Sequence, residues 1–333
     1  MGLIHVAEEG GWPSNTAVVD AHIDTVHHML QGRDFLQRST EGQVDLPRLQ
    51  AGGVAAQVFA LFVEPEYKPD RALHRVLRLW DALDRTIERS AGAMHLVRST
   101  SDLDEALGKG QLAVIVSVEG GEPIGNDLAY LRVLHALGVR ALGLTWNERN
   151  AIADGAGEDP NGGGLTRFGR SVVSEMNRLH ILVDVSHLNE RSFWDVLDHS
   201  TSPIVASHSN ARSLCDHPRN LRDTQIQALA AAGGVMGMNF FADFLVSGEA
   251  EATIDSVVAH IDHIVALVGA EHIGLGSDFD GISRWPRGLE DASCFPNLTD
   301  ALLRRGYRSE DVRAILGGNF LRVLRQVWDG TDF

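Results

Sequence analysis

Cysteine is scarce in this chain: Cys215 and Cys294 are the only two in 333 residues. That excludes a disulfide framework, though not a single bridge, and fits a reduced, cytoplasmic setting. Lysine is equally scarce, with only Lys68 and Lys109 present. Positive charge is short altogether, 29 basic residues against 45 acidic ones and a net charge of −16. Nucleic acid and anionic membranes are therefore poor partners. No apolar run approaches the ~20 residues of a membrane span. The start, Met1-Gly2-Leu3-Ile4-His5-Val6, lacks the basic-then-apolar layout of a signal peptide, and Gly2 is not followed by the Ser or Thr of a myristoylation signal. No phosphate-loop pattern is present, since Gly162-Gly163-Gly164 lacks the flanking residues of one.

What is there is core material: 44% hydrophobic against 22% charged residues, the balance of a soluble globular protein. Eight apolar runs read as strands, at about 17–24, 53–63, 112–119, 139–145, 181–187, 203–208, 234–240 and 272–278. Most lack polar alternation, as strands buried on both faces should. Helical spacing separates them over 71–89, 127–137, 167–180, 190–199, 223–232 and 253–269. A shorter helix is expected over 101–107, capped by Ser101 or Asp102. Eight strands alternating with helices predict a (β/α)₈ TIM-type barrel in one domain spanning 1–333. Its core would cover about 17–280, with a C-terminal helical extension at about 297–328. A doubly wound open sheet is the alternative, but it usually carries a glycine-rich first turn, and the first run here is followed by His22-Ile23-Asp24-Thr25. The longest loop, 146–164, is long enough for a lid or substrate loop.

In such a barrel the chemistry lies at the carboxyl ends of the strands. There the sequence places His22, Asp24, Glu119, His187, His208 and Asp278. His22 and Asp24, two apart, would share one face of a strand. A buried carboxylate such as Glu119 needs a partner or a metal. Asp280 reads as a turn residue in preference to a partner held behind the ligands, and His27 and His28 stay ambiguous. One catalytic zinc takes three protein ligands and an open position. Three histidines, two aspartates and a glutamate exceed that, and suit two ions bridged by a carboxylate. Neither Lys68 nor Lys109 ends a predicted strand, which leaves Glu119 as the bridge.

The motifs Asp20-Ala21-His22-Ile23-Asp24, Val118-Glu119-Gly120-Gly121, Asp184-Val185-Ser186-His187, Ala206-Ser207-His208-Ser209-Asn210-Ala211, Pro218-Arg219-Asn220 and Gly276-Ser277-Asp278-Phe279-Asp280-Gly281 occur in this order. Together they resemble the membrane (renal) dipeptidase family of the amidohydrolase superfamily, over about residues 17–325. The resemblance implies a barrel holding two zinc ions. His22 and Asp24 would bind one, His187 and His208 the other, and Glu119 would bridge. Arg219 would grasp the substrate's terminal carboxylate with its bidentate fork. Where well-known members carry Leu-Thr-His, this chain reads Leu144-Thr145-Trp146-Asn147. Trp146 offers only an indole N–H, and Asn147 is the residue expected to substitute at the substrate.

These residues predict a zinc dipeptidase acting on L,L- and, as the resemblance suggests, L,D-dipeptides. A metal-bridging hydroxide would attack the peptide carbonyl, with Asp278 carrying the proton to the leaving amine. The resemblance also suggests a homodimer. A metal-dependent hydrolase of another small amide, such as an N-acyl amino acid or a lactam, is the alternative that Trp146 motivates. A non-catalytic binding protein on the same barrel is the third reading, and retention of all the metal-site residues counts against it.

Overall fold

The computed structural model describes residues 17–159, 162–248 and 250–329. The amino-terminal stretch read above for targeting signals lies outside them.

All eight expected strands are present and parallel. They are β1 (Val18–Ile23), β2 (Val54–Phe62), β4 (Leu112–Glu119), β5 (Val139–Gly143), β6 (Leu182–Asp184), β7 (Ile204–Ser209), β8 (Val235–Met238) and β9 (Ile273–Leu275). A ninth strand, β3 (Met94–Leu96), pairs with the start of β4. It was not expected, because three residues are too few to show a period. The order runs β2-β1-β9-β8-β7-β6-β5-β4, and β2 pairs back with β4 through Ala56–Phe62 against Ala113–Glu119. That pairing closes an eight-stranded TIM barrel. The open-sheet alternative is thereby removed.

The expected helices lie between the strands, with bounds shifted by a residue or two. They are Ala72–Arg89, Leu128–Leu137, Arg167–Arg178, Glu190–His199, Asp223–Ala231 and Ile254–Val268. The helix Thr100–Gly108 is capped by Ser99, whose side chain accepts from the Asp102 N–H. The expected cap at Ser101 or Asp102 is thus corrected: Ser99 holds the extended backbone of a cap, and Asp102 sits in the first turn. Short helices Thr25–Leu30, Leu46–Ala51 and Ala242–Leu245 also form. Each is below two turns, too brief for a periodic signal.

After the barrel come Phe295–Arg305, Ser309–Arg313, a π-helical turn Ala314–Gly318 and Asn319–Trp328. The last helix lies across the amino-terminal mouth of the barrel. Its Phe320, Val323, Leu324 and Val327 join barrel residues Ala21, Val58, Ile115, Leu182 and Val235 in one apolar cluster. Its carbonyls and guanidinium groups meet residues just ahead of strands. The His180 ring pairs with Val327 O, and Arg322 donates to Gly233 O and Glu271 O. The floor of the barrel is therefore sealed, and the strand ends carrying the candidate residues form the opposite, open mouth. No helix among the described residues is long and apolar enough to cross a membrane. Cys215 and Cys294 are both free thiols.

Candidate metal centre

His22, Glu119 and His208 lie on strands, each at or near its carboxyl end. His187 and Asp278 lie three residues beyond β6 and β9, in the turns that follow. The expected strands 181–187 and 272–278 therefore stop early. Asp184 and Ser277 explain this: the Asp184 carboxylate accepts from Ser186 N and Ser207 N, and the Ser277 hydroxyl donates to Asp20 and accepts from Phe279 N, which pulls those turns out of the ladder. Asp24 also lies off the strand, at the start of the helix Thr25–Leu30, with φ −101° and ψ 15°. The β1–β2 register shifts between Asp20 and Ile23. His22 and Asp24 do converge, but through this irregularity rather than by simple strand alternation.

The donors crowd together. His22 Nε2 lies 3.5 Å from Asp24 Oδ2, 3.3 Å from Glu119 Oε2 and 3.9 Å from Asp278 Oδ1. His187 Nε2 lies 2.9 Å from Glu119 Oε1 and 2.9 Å from His208 Nε2, and His208 Nε2 lies 3.9 Å from Glu119 Oε1. Ligands bound at zinc-like distances in a tetrahedron lie ~3.3 Å from one another, so these spacings fit a shared ion. Glu119 reaches both halves of the cluster, with one oxygen toward His22 and the other toward His187.

Two further observations point to a cation. His22 Nε2 and Asp24 Oδ1 are buried without a hydrogen-bond partner, an arrangement that costs free energy unless a ligand satisfies it. A Cβ on Gly281 would collide with both Asp24 Oδ2 and Asp278 Oδ1, so the glycine keeps that space open.

The electrostatics agree. Burial opposes a proton on His22, but Glu119 and Asp24 outweigh it and push the imidazole well above its ordinary pKa. Burial, and then the Glu119 charge, push Asp24 well above the usual carboxylate range. Asp278 is likewise raised by burial, and Glu119 adds to the rise. Burial also works to raise Glu119, yet His22 and His187 hold it well below. Burial, then Arg219, hold His187 at about 4. Burial and His22 keep His208 well below the ordinary value. The cluster thus sets two neutral imidazoles, His187 and His208, and one that holds its proton, His22, among carboxylates that repel one another, a repulsion a divalent cation would relieve.

Each histidine on the β6–β7 side is oriented from behind. The Ser207 hydroxyl donates to Asp184 Oδ2 at 2.5 Å and sits 2.7 Å from His208 Nδ1, where it accepts. Asn147 Oδ1 lies 2.9 Å from His187 Nδ1. Both Nδ1–H groups are thereby engaged, and both Nε2 lone pairs face the cluster. Gly237 and Gly276 make room for the Ser207 carbonyl, with which a Cβ on either would collide. Asn239 Nδ2 donates to Asp278 Oδ2 at 2.8 Å. The Ser207 relay and Asn239 were not picked out from sequence. Asp184 was visible only as part of a motif, and Asn239 follows β8 without any spacing signal.

The loop 146–164 is tied to this machinery. Ala156 N donates to His187 O at 2.7 Å, Asn189 N to Asp154 O at 3.1 Å, and Gly155 pairs with Leu188. Asn147 therefore meets His187 as well as the cavity. Asp280, at φ 66°, is anchored as a turn residue. Its carboxylate accepts from Thr25 Oγ1, Gln43 N and the Arg33 guanidinium.

Beside the cluster is a cavity of about 440 Å³, lined by Asp24, Glu119, Asp278, Arg219, Trp146, Asn147 and several aromatic rings. Arg219 is buried against Phe244, donates to Ser186 O, and lies 3.1 Å from His187 Nε2. Burial lowers it to about 10, which leaves it cationic at neutral pH.

The family model for membrane dipeptidase, peptidase family M19, matches residues 13–331. The chain belongs to that family. As an M19 member it is a metallopeptidase, a hydrolase that acts on small peptide substrates. It is 35% identical to the dipeptidase tcpJ of Claviceps purpurea, across 93% of this chain and 77% of that protein. It is also 35% identical to an uncharacterized dipeptidase of Schizosaccharomyces pombe, across 93% and 80%. A metallopeptidase of Rhodobacter sphaeroides, solved with a phosphinate mimic of the dipeptide L-Ala-D-Ala, superposes with a TM-score of 0.89. The two share 32% identity, over 94% of this chain and 100% of that one.

Proposed function

We propose that this M19 enzyme is a zinc dipeptidase with two ions. His22 and Asp24 would hold one, His187 and His208 the other, and Glu119 would lie between them. The observation that carries this reading is the convergence of these side chains on one mouth of the barrel, with Glu119 reaching both pairs. When bound, such ions make a water nucleophilic at neutral pH and polarise a carbonyl oxygen.

The chain's own residues supply the rest. Arg219, cationic and facing the cavity, binds the free carboxylate of the substrate and so limits the site to short peptides. Asp278 faces the cluster from the other side. Its raised pKa suits a group that takes a proton from the attacking water and returns it to the leaving amine. Asn239 holds that carboxylate in place, and Asn147 and Ser207 keep the two imidazoles aimed. The mimic bound by the Rhodobacter relative supports L,D-dipeptides as substrates beside L,L-dipeptides.

The test is amino-acid release from L,L- and L,D-dipeptides by zinc-loaded protein, with N-acetylated controls and a chelator-treated blank. Chelator-sensitive cleavage of the free dipeptides is expected. Cleavage of the acetylated controls alone would move the assignment to another small amide.

A further inference from the structure

The cavity that holds Arg219 also has an aromatic stretch of wall. Trp146 and Phe62 face one another there with ring centroids 5.2 Å apart, and both line the cavity. Trp146 also leans over His187, centroid to centroid 6.1 Å. The indole is held from behind by Lys68, whose ammonium lies 5.0 Å from the Trp146 ring and 5.4 Å from Phe62. Lys68 is itself fixed between Glu122, at 3.4 Å, and Glu148, at 3.7 Å. A cation against the far face of an aromatic pair anchors it without occupying the cavity. Glu64, a charged residue lining the same cavity, is spoken for. Its carboxylate pairs with the Arg75 guanidinium and with His27 Nδ1. The wall thus offers a rigid apolar surface beside the metal ligands.

We propose that Trp146 and Phe62 form the subsite for the side chain of the substrate's amino-terminal residue, and that they select large apolar or aromatic side chains there. The inference rests on the dipeptidase reading, in which Arg219 takes the carboxyl end. A dipeptide anchored at Arg219 and drawn across the candidate metal ligands keeps its first residue in the same cavity, whose wall beside His187 is Trp146 and Phe62. Each added methylene in an apolar enzyme pocket changes specificity about tenfold or more, so the selection is readable in a short series.

The experiment is steady-state kinetics of zinc-loaded enzyme on Gly-Ala, Ala-Ala, Leu-Ala and Phe-Ala. We expect kcat/KM to rise at least tenfold from Gly-Ala to Leu-Ala and Phe-Ala, mainly through KM. Trp146→Ala should flatten the series while Gly-Ala is still cleaved, and Trp146→Phe should keep the slope. Bound-metal content of each variant shows that the centre survives. A flat wild-type series, or an undiminished slope in Trp146→Ala, overturns the subsite while leaving the dipeptidase assignment standing. No cleavage of any member overturns both.

Discussion

A carboxylate that is costly to ionise, held by one amide and facing an unpartnered imidazole, is not a structural residue in the ordinary sense. Asp278 adopts φ 63°, a conformation uncommon outside glycine, and such strain gathers at functional sites. If it carries the proton, Asp278→Asn should lose turnover by several orders of magnitude while metal content is unchanged. Assays of kcat and bound metal on the same sample check this, and near-normal turnover would remove the role. Ser207 is a residue of another kind, acting only through His208. Ser207→Ala removes the acceptor for the His208 Nδ1–H, and outer partners of metal ligands typically contribute ~10–100-fold in affinity. Chelator competition should show a loss of that order, and an unchanged affinity would leave the relay without purpose. The ligand residue types were legible because each ends an apolar run. The groups behind them were not, since a serine or asparagine carries no periodic signature and its role depends on a partner about twenty or more residues away.

At the scale of elements, the strands were legible because burial on both faces leaves unbroken apolar runs. Their ends were not, because the turns after β6 and β9 are shaped by Asp184 and Ser277 rather than by periodicity. The helix Ile254–Val268 shows how such turns are braced. Its buried His260 accepts from Ala211 N through Nδ1 and meets Leu245 O through Nε2, both at 3.1 Å. The neighbouring Asn210 in turn holds Asn239, the residue that positions Asp278. Burial lowers His260 from 6.5 to about 4. Between those values the unfolded chain binds the extra proton, so stability is full above pH 6.5 and is lost as the pH falls toward 4. The loss is on the order of 3 kcal/mol. His260→Gln keeps a donor and an acceptor but cannot titrate. Thermal unfolding from pH 7 to 4.5 should therefore be less steep in the variant than in the native chain. Identical slopes would exclude His260 as a source of acid sensitivity.

For the whole molecule, the architecture was readable as eight alternations, while the placement of the final helix was not. Its amphipathic pattern announces a buried face but not which surface covers it. Only the structure shows that it seals the barrel floor. The candidate ligands come from β1, β4 and β7 and from the turns after β1 and β6, so a bound ion would tie together widely separated parts of the barrel. Metal at a thousandfold above its Kd would stabilise the fold by about 4 kcal/mol. Chelation should accordingly lower Tm by several degrees and re-addition should restore it; an unmoved Tm after verified metal loss would contradict the shared site.

The loop 146–164 adds a last consequence. It is stitched to His187 and to the two residues after it through Asn147, Asp154, Gly155 and Ala156, so it is less a door than a seam sewn to a proposed metal ligand. Whatever loosens that ligand should unpick the seam. Protease nicking within the loop then becomes a surface gauge of how fully the centre is loaded: slow with metal, fast after chelation, and equal in both only if seam and centre are independent.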